Sequence, residues 1–167
     1  LTAHPPGLQQ VREFRVQAEI FGEGLKRRQR IGVGRILRQR ARQLRNTVPA
    51  EAIAQRSTAI VALLSALPEL ANVSTVALFY PIERRHEVDL RALDASLRAA
   101  GVRIAYPAID PETRVMSFRA TSSIDELEER GMGFREPPLA AEEMLGLDVI
   151  IVPALQVDAH GHRIGYG

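Results

Sequence analysis

Residues 73–81 have the sequence VSTVALFYP, and this β-rich run is the clearest indication of the fold. β-Branched and aromatic residues favour an extended backbone, and an apolar run of this length is typical of a strand buried within a sheet. Proline cannot donate to a sheet ladder, so we predict that the strand ends there. The same pattern recurs at residues 102–107 (VRIAYP) and 148–153 (DVIIVP).

Helical patterns lie between these predicted strands. A stripe of leucines at helical spacing begins at Leu90, and Gly101 marks the C-terminus of that helix, where glycine is favoured. Upstream, we predict a basic helix over residues 35–45 and a second helix from Pro49 to Pro68. Because strands that alternate with helices are typical of layered α/β domains, we predict a three-layer α/β/α domain with a largely parallel central sheet.

Shorter elements are predicted in the remaining parts of the chain. Residues 114–119 alternate in polarity and predict a more exposed strand, and short helices are predicted over residues 124–130 and 140–145, with a loop between them. Residues 1–30 lack a clear apolar period, so we expect a partly helical N-terminal extension there. Residues 31–167 would then form one α/β domain.

The three prolines suggest where a ligand would bind. In parallel α/β sheets, ligands lie beyond the carboxyl ends of the strands. If the three predicted strands are parallel neighbours, then residues 82–89, 108–112 and 154–167 line one cleft. The alternative is that the prolines only terminate strands.

Composition excludes several classes of protein. The chain has no cysteine, which excludes disulfides and thiolate metal sites and fits a reducing compartment. No run of about 18 apolar residues is present, so we expect no membrane span, and the N-terminus resembles no secretory signal. The four histidines show no metal-ligand spacing, so no metal site is predicted. We therefore expect a cytoplasmic protein.

The charge is distributed unevenly. Residues 1–45 carry eleven basic and three acidic side chains, whereas residues 46–167 carry eleven basic and seventeen acidic ones. A basic segment of this kind favours an anionic partner, either a nucleotide phosphate or a nucleic acid. Between Lys26 and Arg45, where most of the basic residues lie, no aromatic residue is interleaved, which argues against stacking on nucleic-acid bases.

The last fifteen residues, PALQVDAHGHRIGYG, carry the most specific motif. Asp158 and Gly161 suit a tight turn, and Arg163 then precedes the glycine-spaced residues 165–167. Glycines let backbone N–H groups approach a phosphate closely, and an arginine beside them supplies positive charge. The alternative is a plain β-hairpin.

An apolar strand, a proline, a turn with aspartate and glycine, and then RIGYG together resemble the signature of the 5-formyltetrahydrofolate cyclo-ligase (5,10-methenyltetrahydrofolate synthetase) family. Val157 stands where the family usually has phenylalanine. The resemblance implies that Arg163 is catalytic. It also implies an ATP-binding loop, within which the chain ends, so that the domain is C-terminally incomplete; the implied nucleotide-binding residues are Gly161, Arg163, Gly165, Tyr166 and Gly167.

Two further stretches are similar to the family. Within residues 79–89 (FYPIERRHEVD), Glu87 falls on the family's folate-binding glutamate, and Tyr80 lies at the strand end near the same pocket. The alternative for Glu87 is to flank the N-terminus of the following helix, where negative charge is favourable. Phe134 lies in a family-like GFREP loop, where the resemblance implies that it faces the pterin ring; alternatively it fills the core.

The basic helix is similar to the family's N-terminal helix, with one departure. Leu37 and Arg38 fit the family's Leu-Arg pair, but Gly34 stands at the position of the nucleotide-binding lysine. Arg35 would then contact ATP together with Arg38, although arginine and lysine are not interchangeable.

The resemblance implies an enzyme that cyclises 5-formyltetrahydrofolate to 5,10-methenyltetrahydrofolate by phosphorylating the formyl oxygen with ATP and Mg²⁺. The implied partners are small molecules, and a monomer is expected. Two alternatives stay open. One is a family paralogue with altered catalysis, and the other is a nucleic-acid-binding module that uses the basic helix.

Overall fold

The α-helices that the structure describes lie between residues 27 and 99. A computed structural model describes residues 27–130, 134–158, 160–161 and 163–165. Within these ranges the α-helices are α1 (Arg27–Asn46), α2 (Ala50–Ser65) and α3 (Arg91–Ala99). Gly101 follows α3 with a φ of +82°, a left-handed conformation that glycine adopts without steric cost.

The central sheet has four strands in the order β3-β2-β1-β6. β1 pairs in parallel with both of its neighbours, and β2 pairs antiparallel with β3. Two small antiparallel pairs, β4 with β5 and β7 with β8, lie outside it. In chain order, the strands in the described ranges are β1 (Thr75–Ala77), β2 (Arg103–Ile109), β3 (Met116–Thr121), β4 (Glu128–Glu129), β5 (Arg135–Glu136), β6 (Val149–Ile150), β7 (Gln156–Val157) and β8 (Arg163–Ile164).

The main hydrophobic core lies between one face of this sheet and the helices. Leu93 and Leu97 of α3 pack against Val76, Ile104 and the neighbouring strand residues, and α2 packs on α3. Each fully buried aliphatic side chain of this kind stabilises the fold by about 1.5–3 kcal/mol relative to an exposed one. The predicted leucine face of the helix after β1 is thereby confirmed.

The other face of the sheet is covered by residues 138–147, which contain no helix. Met144 packs there against Ala77 and Ala105, whose small side chains let the segment approach the sheet closely. The backbone of the segment also bonds to the outer edge of β3, since the N–H of Ala120 donates to the carbonyl of Glu142 at 2.8 Å. The predicted helix over 140–145 is therefore wrong, because β3 satisfies these backbone groups in an extended conformation.

A buried polar network ties α3 to the sheet. The Arg98 guanidinium donates to both carboxylate oxygens of Asp94, at 2.9 and 3.1 Å, and to the backbone carbonyl and hydroxyl of Thr121. The Tyr106 hydroxyl donates to Asp94 at 2.9 Å. Burial is the largest cause that raises the pKa of Tyr106 far above its ordinary range, so the hydroxyl stays protonated as a donor.

The α/β class and the largely parallel sheet are confirmed, but several predicted boundaries are wrong. β2 does not end at Pro107; it continues to Ile109, with Pro107 opposite Phe118 of β3. The N–H of Leu78 donates to the carbonyl of Ala105, so alternate residues of β2 face β1. Pro107 belongs to the set that faces β1, but the pairing of β1 with β2 ends at Ala77 and Ala105, so the missing N–H of Pro107 falls beyond the paired part of the two strands.

The structure also differs from two other local predictions. Residues 124–130 form a single 3₁₀ turn (Ile124–Glu126) followed by β4, because Leu127 is buried in the main core with an extended backbone. The first helix is longer than predicted and begins at Arg27. The division into an extension over 1–30 and a domain over 31–167 stays a prediction, since residues 1–26 lie outside the described ranges.

Candidate active site

A cavity of about 300 Å³ lies where the carboxyl ends of β1 and β6 meet the last turn of α1. β1 and β6 are parallel neighbours, with Val76 opposite Val149, so the segments that follow them leave the sheet at the same edge. Its walls combine apolar and charged groups, including Phe79, Leu90, Ile151, Pro153, Arg45 and Glu87.

The predicted cleft is therefore confirmed for two of its three segments. Residues after β1 and after β6 line the cavity together. Residues 108–112, which follow the predicted end of the second strand, are not among its lining residues. The reason is that β2 extends past Pro107, and its chain then turns directly into β3.

Glu87 lies in the cavity wall and also holds the loop that carries it. Its Oε2 accepts a hydrogen bond from the N–H of Ile82 at 2.8 Å, which closes the loop after β1. His86 has a φ of +51°, a left-handed conformation that reverses the chain before Glu87. The carboxylate is half-buried among apolar side chains, where its charge acts at reduced dielectric.

The alternative role for Glu87, at the N-terminus of the next helix, belongs to Asp89 instead. Oδ1 of Asp89 accepts from the N–H of Arg91 at 2.9 Å, and hydrogen bonding to the Arg91 side chain lowers the pKa of Asp89. The N–H of Asp89 donates to the buried hydroxyl of Ser57 at 3.0 Å, which fixes the loop to α2. Glu87 instead lines the cavity and accepts the hydrogen bond from Ile82.

Arg163 lies on the hairpin that follows the cavity wall. The hairpin alternative is confirmed as local structure: β7 and β8 pair, and Gly161 turns the chain with a φ of +82°. Nη1 of Arg163 donates to the carbonyl oxygen of Pro153 at 2.8 Å, and Pro153 lines the cavity with Glu87. Arg163 is not itself among the residues that line the cavity, so its exposed guanidinium is tied to the cavity through this one wall residue. Tyr166 and Gly167, predicted to bind ATP, lie outside the described residues.

Arg35 and Arg38 lie on α1, which packs against β8. Together with Arg42 they line an open depression of about 390 Å³ along the helix. Neither residue is among those that line the Glu87 cavity. At Gly34 an added Cβ would come no closer than 3.8 Å to Nη1 of Arg38, so this face of α1 has room for a side chain.

Tyr80 and Phe134, the other two predicted substrate contacts, are half-buried and do not line the cavity. The guanidinium carbon of Arg135 lies 5.4 Å from the centroid of the Tyr80 ring, a cation–π contact that fastens the residues after Phe134 to the end of β1. Arg135 thus links the segment that contains Phe134 to Tyr80.

Sequence reasoning did not assign Arg45, Phe79 or His86, which also line the cavity. Nδ1 of His86 lies 3.4 Å from the carbonyl oxygen of Arg45, so the end of α1 and the loop after β1 meet there. The rule that ligands bind beyond the carboxyl ends of parallel strands could have pointed to Phe79. Arg45 gave no separate signal within its basic helix.

The family model described as the 5-formyltetrahydrofolate cyclo-ligase family matches residues 30–167. The chain belongs to this family. The sequence resemblance is therefore confirmed over the whole described α/β domain, and the cyclo-ligases are enzymes. A comparison with curated proteins gives no match.

Solved structures agree with this assignment. The NMR structure of 5,10-methenyltetrahydrofolate synthetase from Aquifex aeolicus is similar at a TM-score of 0.69 and 26% identity, over 81% of this chain and 68% of that one. The synthetase from Mycoplasma pneumoniae is similar at a TM-score of 0.55 and 19% identity, over 80% of this chain and 71% of that one. At that lower identity the likeness concerns the fold.

The described part of this cyclo-ligase offers no ready-made metal centre. Within it, no group of three or more histidine, cysteine, aspartate or glutamate side chains could hold an ion. The described residues therefore do not fit a magnesium ion held by protein ligands alone. In the same ranges, no helix is both long enough and apolar enough to cross a bilayer.

Proposed function

We propose that this protein uses ATP to cyclise 5-formyltetrahydrofolate to 5,10-methenyltetrahydrofolate, with release of ADP and phosphate. Membership of the cyclo-ligase family over residues 30–167 supports the reaction class. The observation that carries the proposal is the hydrogen bond from Arg163 to the carbonyl oxygen of Pro153, because Pro153 and Glu87 line the same cavity.

The reaction needs an activated leaving group. The formyl oxygen attacks the γ-phosphorus of ATP, the bond to ADP breaks, and the oxygen becomes a phosphate ester. N10 then attacks the formyl carbon and loses its proton to the solvent, and the ring closes as inorganic phosphate departs with that oxygen. The protein must therefore align the formyl oxygen with the γ-phosphate and offset the negative charge there.

Arg163 is suited to the charge on the transferring phosphoryl group. Its guanidinium is exposed, and the hydrogen bond to the Pro153 carbonyl at the cavity wall uses one of its donors. The remaining N–H groups can donate to phosphate oxygens, as arginine does in bidentate contacts. Arg35 and Arg38, on the helix packed against β8, would contact the more distant phosphates.

Glu87 is suited to the folate. A carboxylate in an apolar cavity can accept hydrogen bonds from the N–H groups of a pterin ring, and its bond to Ile82 fixes its position beforehand. Magnesium would reach the site as the metal complex of ATP, since the described residues supply no cluster for it. We also propose that Tyr80 and Phe134 contact the folate and that the protein is a cytoplasmic monomer.

Formation of the methenyl product, followed by its absorbance, tests the proposal directly. The purified protein should convert 5-formyltetrahydrofolate only when ATP and magnesium are present. Arg163→Ala and Glu87→Ala should each lower kcat/KM by about 100-fold or more, the range expected for loss of a charged contact. Arg56→Ala, an exposed arginine on α2, is the matched control and should leave activity unchanged.

Titration calorimetry distinguishes this function from its main alternative, a family paralogue with altered catalysis. A folded protein that binds neither ATP nor 5-formyltetrahydrofolate would contradict the proposal and favour a paralogue with altered catalysis. A protein that binds both but forms no product would contradict the reaction while leaving the site in place.

A further inference from the structure

Four arginines meet in a depression beside the candidate active site. The depression has a volume of about 260 Å³, and its lining residues are Arg42, Arg45, Asn46, Arg84 and Arg85. None of these lining residues is acidic. Arg45 also lines the cavity that contains Glu87, so the depression and the cavity adjoin at this side chain.

Two separate elements bring these arginines together. Arg42 and Arg45 come from the last turns of α1, whereas Arg84 and Arg85 come from the 3₁₀ turn after β1. The N–H of Arg85 donates to the carbonyl of Ile82 at 2.8 Å, and the Glu87 carboxylate closes the same loop. The arrangement is therefore built into the fold.

Helix electrostatics explain only part of this cluster. A cation in the last turn of a helix is stabilised by the negative end of the helix dipole, which accounts for Arg45. Arg84 and Arg85 belong to a separate turn, so their position beside Arg42 and Arg45 is a feature of the tertiary fold and not of the α1 sequence. Four guanidinium groups from two elements thus border one depression, and this concentration of positive charge favours an anionic ligand.

The adjoining cavity indicates what kind of anion this is. Its walls are largely apolar at Phe79, Leu90 and Ile151, and Glu87 adds a negative charge. A phosphate inside the cavity would be repelled by Glu87. A ligand with an uncharged flat body and an anionic end satisfies both surfaces, because its body fills the cavity while its end reaches the arginines.

We infer that the depression formed by Arg42, Arg45, Arg84 and Arg85 binds the carboxylates of the folate's glutamyl end. The inference rests on the proposed function, which supplies a reduced folate as the substrate. Arg42, Arg45 and Arg85 also have partners within the chain, which would hold their guanidinium groups in position before the folate arrives. Arginine forms bidentate contacts with carboxylates, so the cluster can bind both carboxylates of one glutamyl group.

A binding cycle that varies protein and ligand together tests the inference. The proteins are the wild type and Arg84→Gln/Arg85→Gln, and the ligands are 5-formyltetrahydrofolate and 5-formyltetrahydropteroate, which lacks the glutamate. The double variant should bind 5-formyltetrahydrofolate about 10-fold or more weakly, the size expected for charged hydrogen bonds. Its affinity for the pteroate should stay within about 2-fold of wild type, since the contact removed is absent from that ligand.

The other outcomes each overturn the inference in a different way. Equal weakening for both folate ligands would mean that the arginines only support the loop. Weaker ATP binding with unchanged folate binding would assign the cluster to nucleotide phosphates. If wild-type protein binds neither folate ligand, the proposed function fails together with the inference. If the double variant binds 5-formyltetrahydrofolate as tightly as the wild type does, the inference alone fails.

Discussion

A Cβ placed on Gly165 would lie 3.3 Å from Nη1 of Arg163 and 3.4 Å from its Cζ. The guanidinium group thus folds back over the glycine, and it reaches the Pro153 carbonyl from this position. A hydrogen atom at residue 165 is what leaves room for that conformation. The glycine spacing of the motif therefore has a steric role in addition to any backbone contact with phosphate.

Replacing Gly165 with alanine should accordingly impair catalysis through Arg163. The new methyl group pushes the flexible end of Arg163 by a few tenths of an ångström, and we expect kcat to fall by about 10-fold, since small misplacements of aligned groups are costly. Steady-state kinetics of Gly165→Ala, Arg163→Ala and the double variant measure the coupling. If the two effects multiply independently, the steric explanation is wrong, because displacement of Arg163 predicts that the double variant equals Arg163→Ala.

Glu87 combines two tasks that substitutions can separate. Glu87→Gln keeps an oxygen that can accept from the Ile82 N–H, so thermal stability should change little, but the charge is lost. We expect KM for 5-formyltetrahydrofolate to rise by about 10–100-fold, the usual worth of a charged hydrogen bond. Glu87→Ala removes both contributions and should also lower the melting temperature. A glutamine variant with wild-type KM would mean that the charge contributes nothing to folate binding.

The network of Asp94, Arg98 and Tyr106 should dominate the stability of the α3–sheet contact. Arg98→Met leaves the Asp94 carboxylate, only 3% exposed, without its cation and should cost about 3 kcal/mol. Tyr106→Phe removes one hydrogen bond and should cost about 1 kcal/mol. Urea unfolding measures both values.

A matched surface pair provides the control for that measurement. Arg103 and Glu142 form an ion pair at 2.7 Å with side chains that are 55% and 65% exposed. Arg103→Met should therefore cost less than about 0.5 kcal/mol. Equal losses for Arg98→Met and Arg103→Met would show that burial of the Asp94 network has no energetic consequence.

Asp148 should make stability depend on acidity. Its Oδ2 accepts from the N–H groups of Ser74 and Thr75, each at 2.9 Å, and these bonds lower the pKa of Asp148 below its ordinary 3.8. Because the folded-state pKa is the lower one, the contribution is complete above pH 3.8 and disappears as the pH falls through the folded value.

Asp148→Asn tests this dependence. At pH 7 the variant should be less stable than wild type by about 1 kcal/mol, a modest value because the side chain is exposed. The difference should narrow steadily once the pH is below about 3.8. Urea unfolding at several pH values, with the exposed Glu69→Gln as control, measures it. A stability difference that stays constant with pH would contradict the assignment.

The sequence was sufficient where a pattern is local and strong. The apolar runs before Pro81 and Pro153 predicted two parallel strands, and the expectation that the segments after such strands share a cleft placed Glu87 and Ala154 at one cavity. The RIGYG motif indicated the family, which the match over residues 30–167 confirms. Each of these inferences depends on neighbours in sequence or on a rule about sheet edges.

Other features depend on partners that are distant in sequence. Pro107 can continue β2 because it pairs with β3 on one side, whereas the pairing of β1 with β2 ends before it, at Ala77 and Ala105. Residues 142–144 pair with the edge of β3 and do not form a helix: the N–H of Ala120 donates to the carbonyl of Glu142, and the N–H of Met144 donates to the carbonyl of Phe118. The role of Arg45 depends on where the end of α1 lies across the sheet, and no helical pattern reveals that position.

The cavity wall joins parts of the chain that are far apart in sequence. The end of α1, the loop after β1 and the segment after β6 meet only when β6 docks beside β1, and the Asp148–Thr75 hydrogen bond that secures this docking spans 73 residues. A ligand can bind this cavity only when the sheet is assembled. Bound ligand therefore shifts the equilibrium from locally unfolded forms of the protein toward the folded form. In a cell, substrate supply would then set how long each copy resists proteolysis.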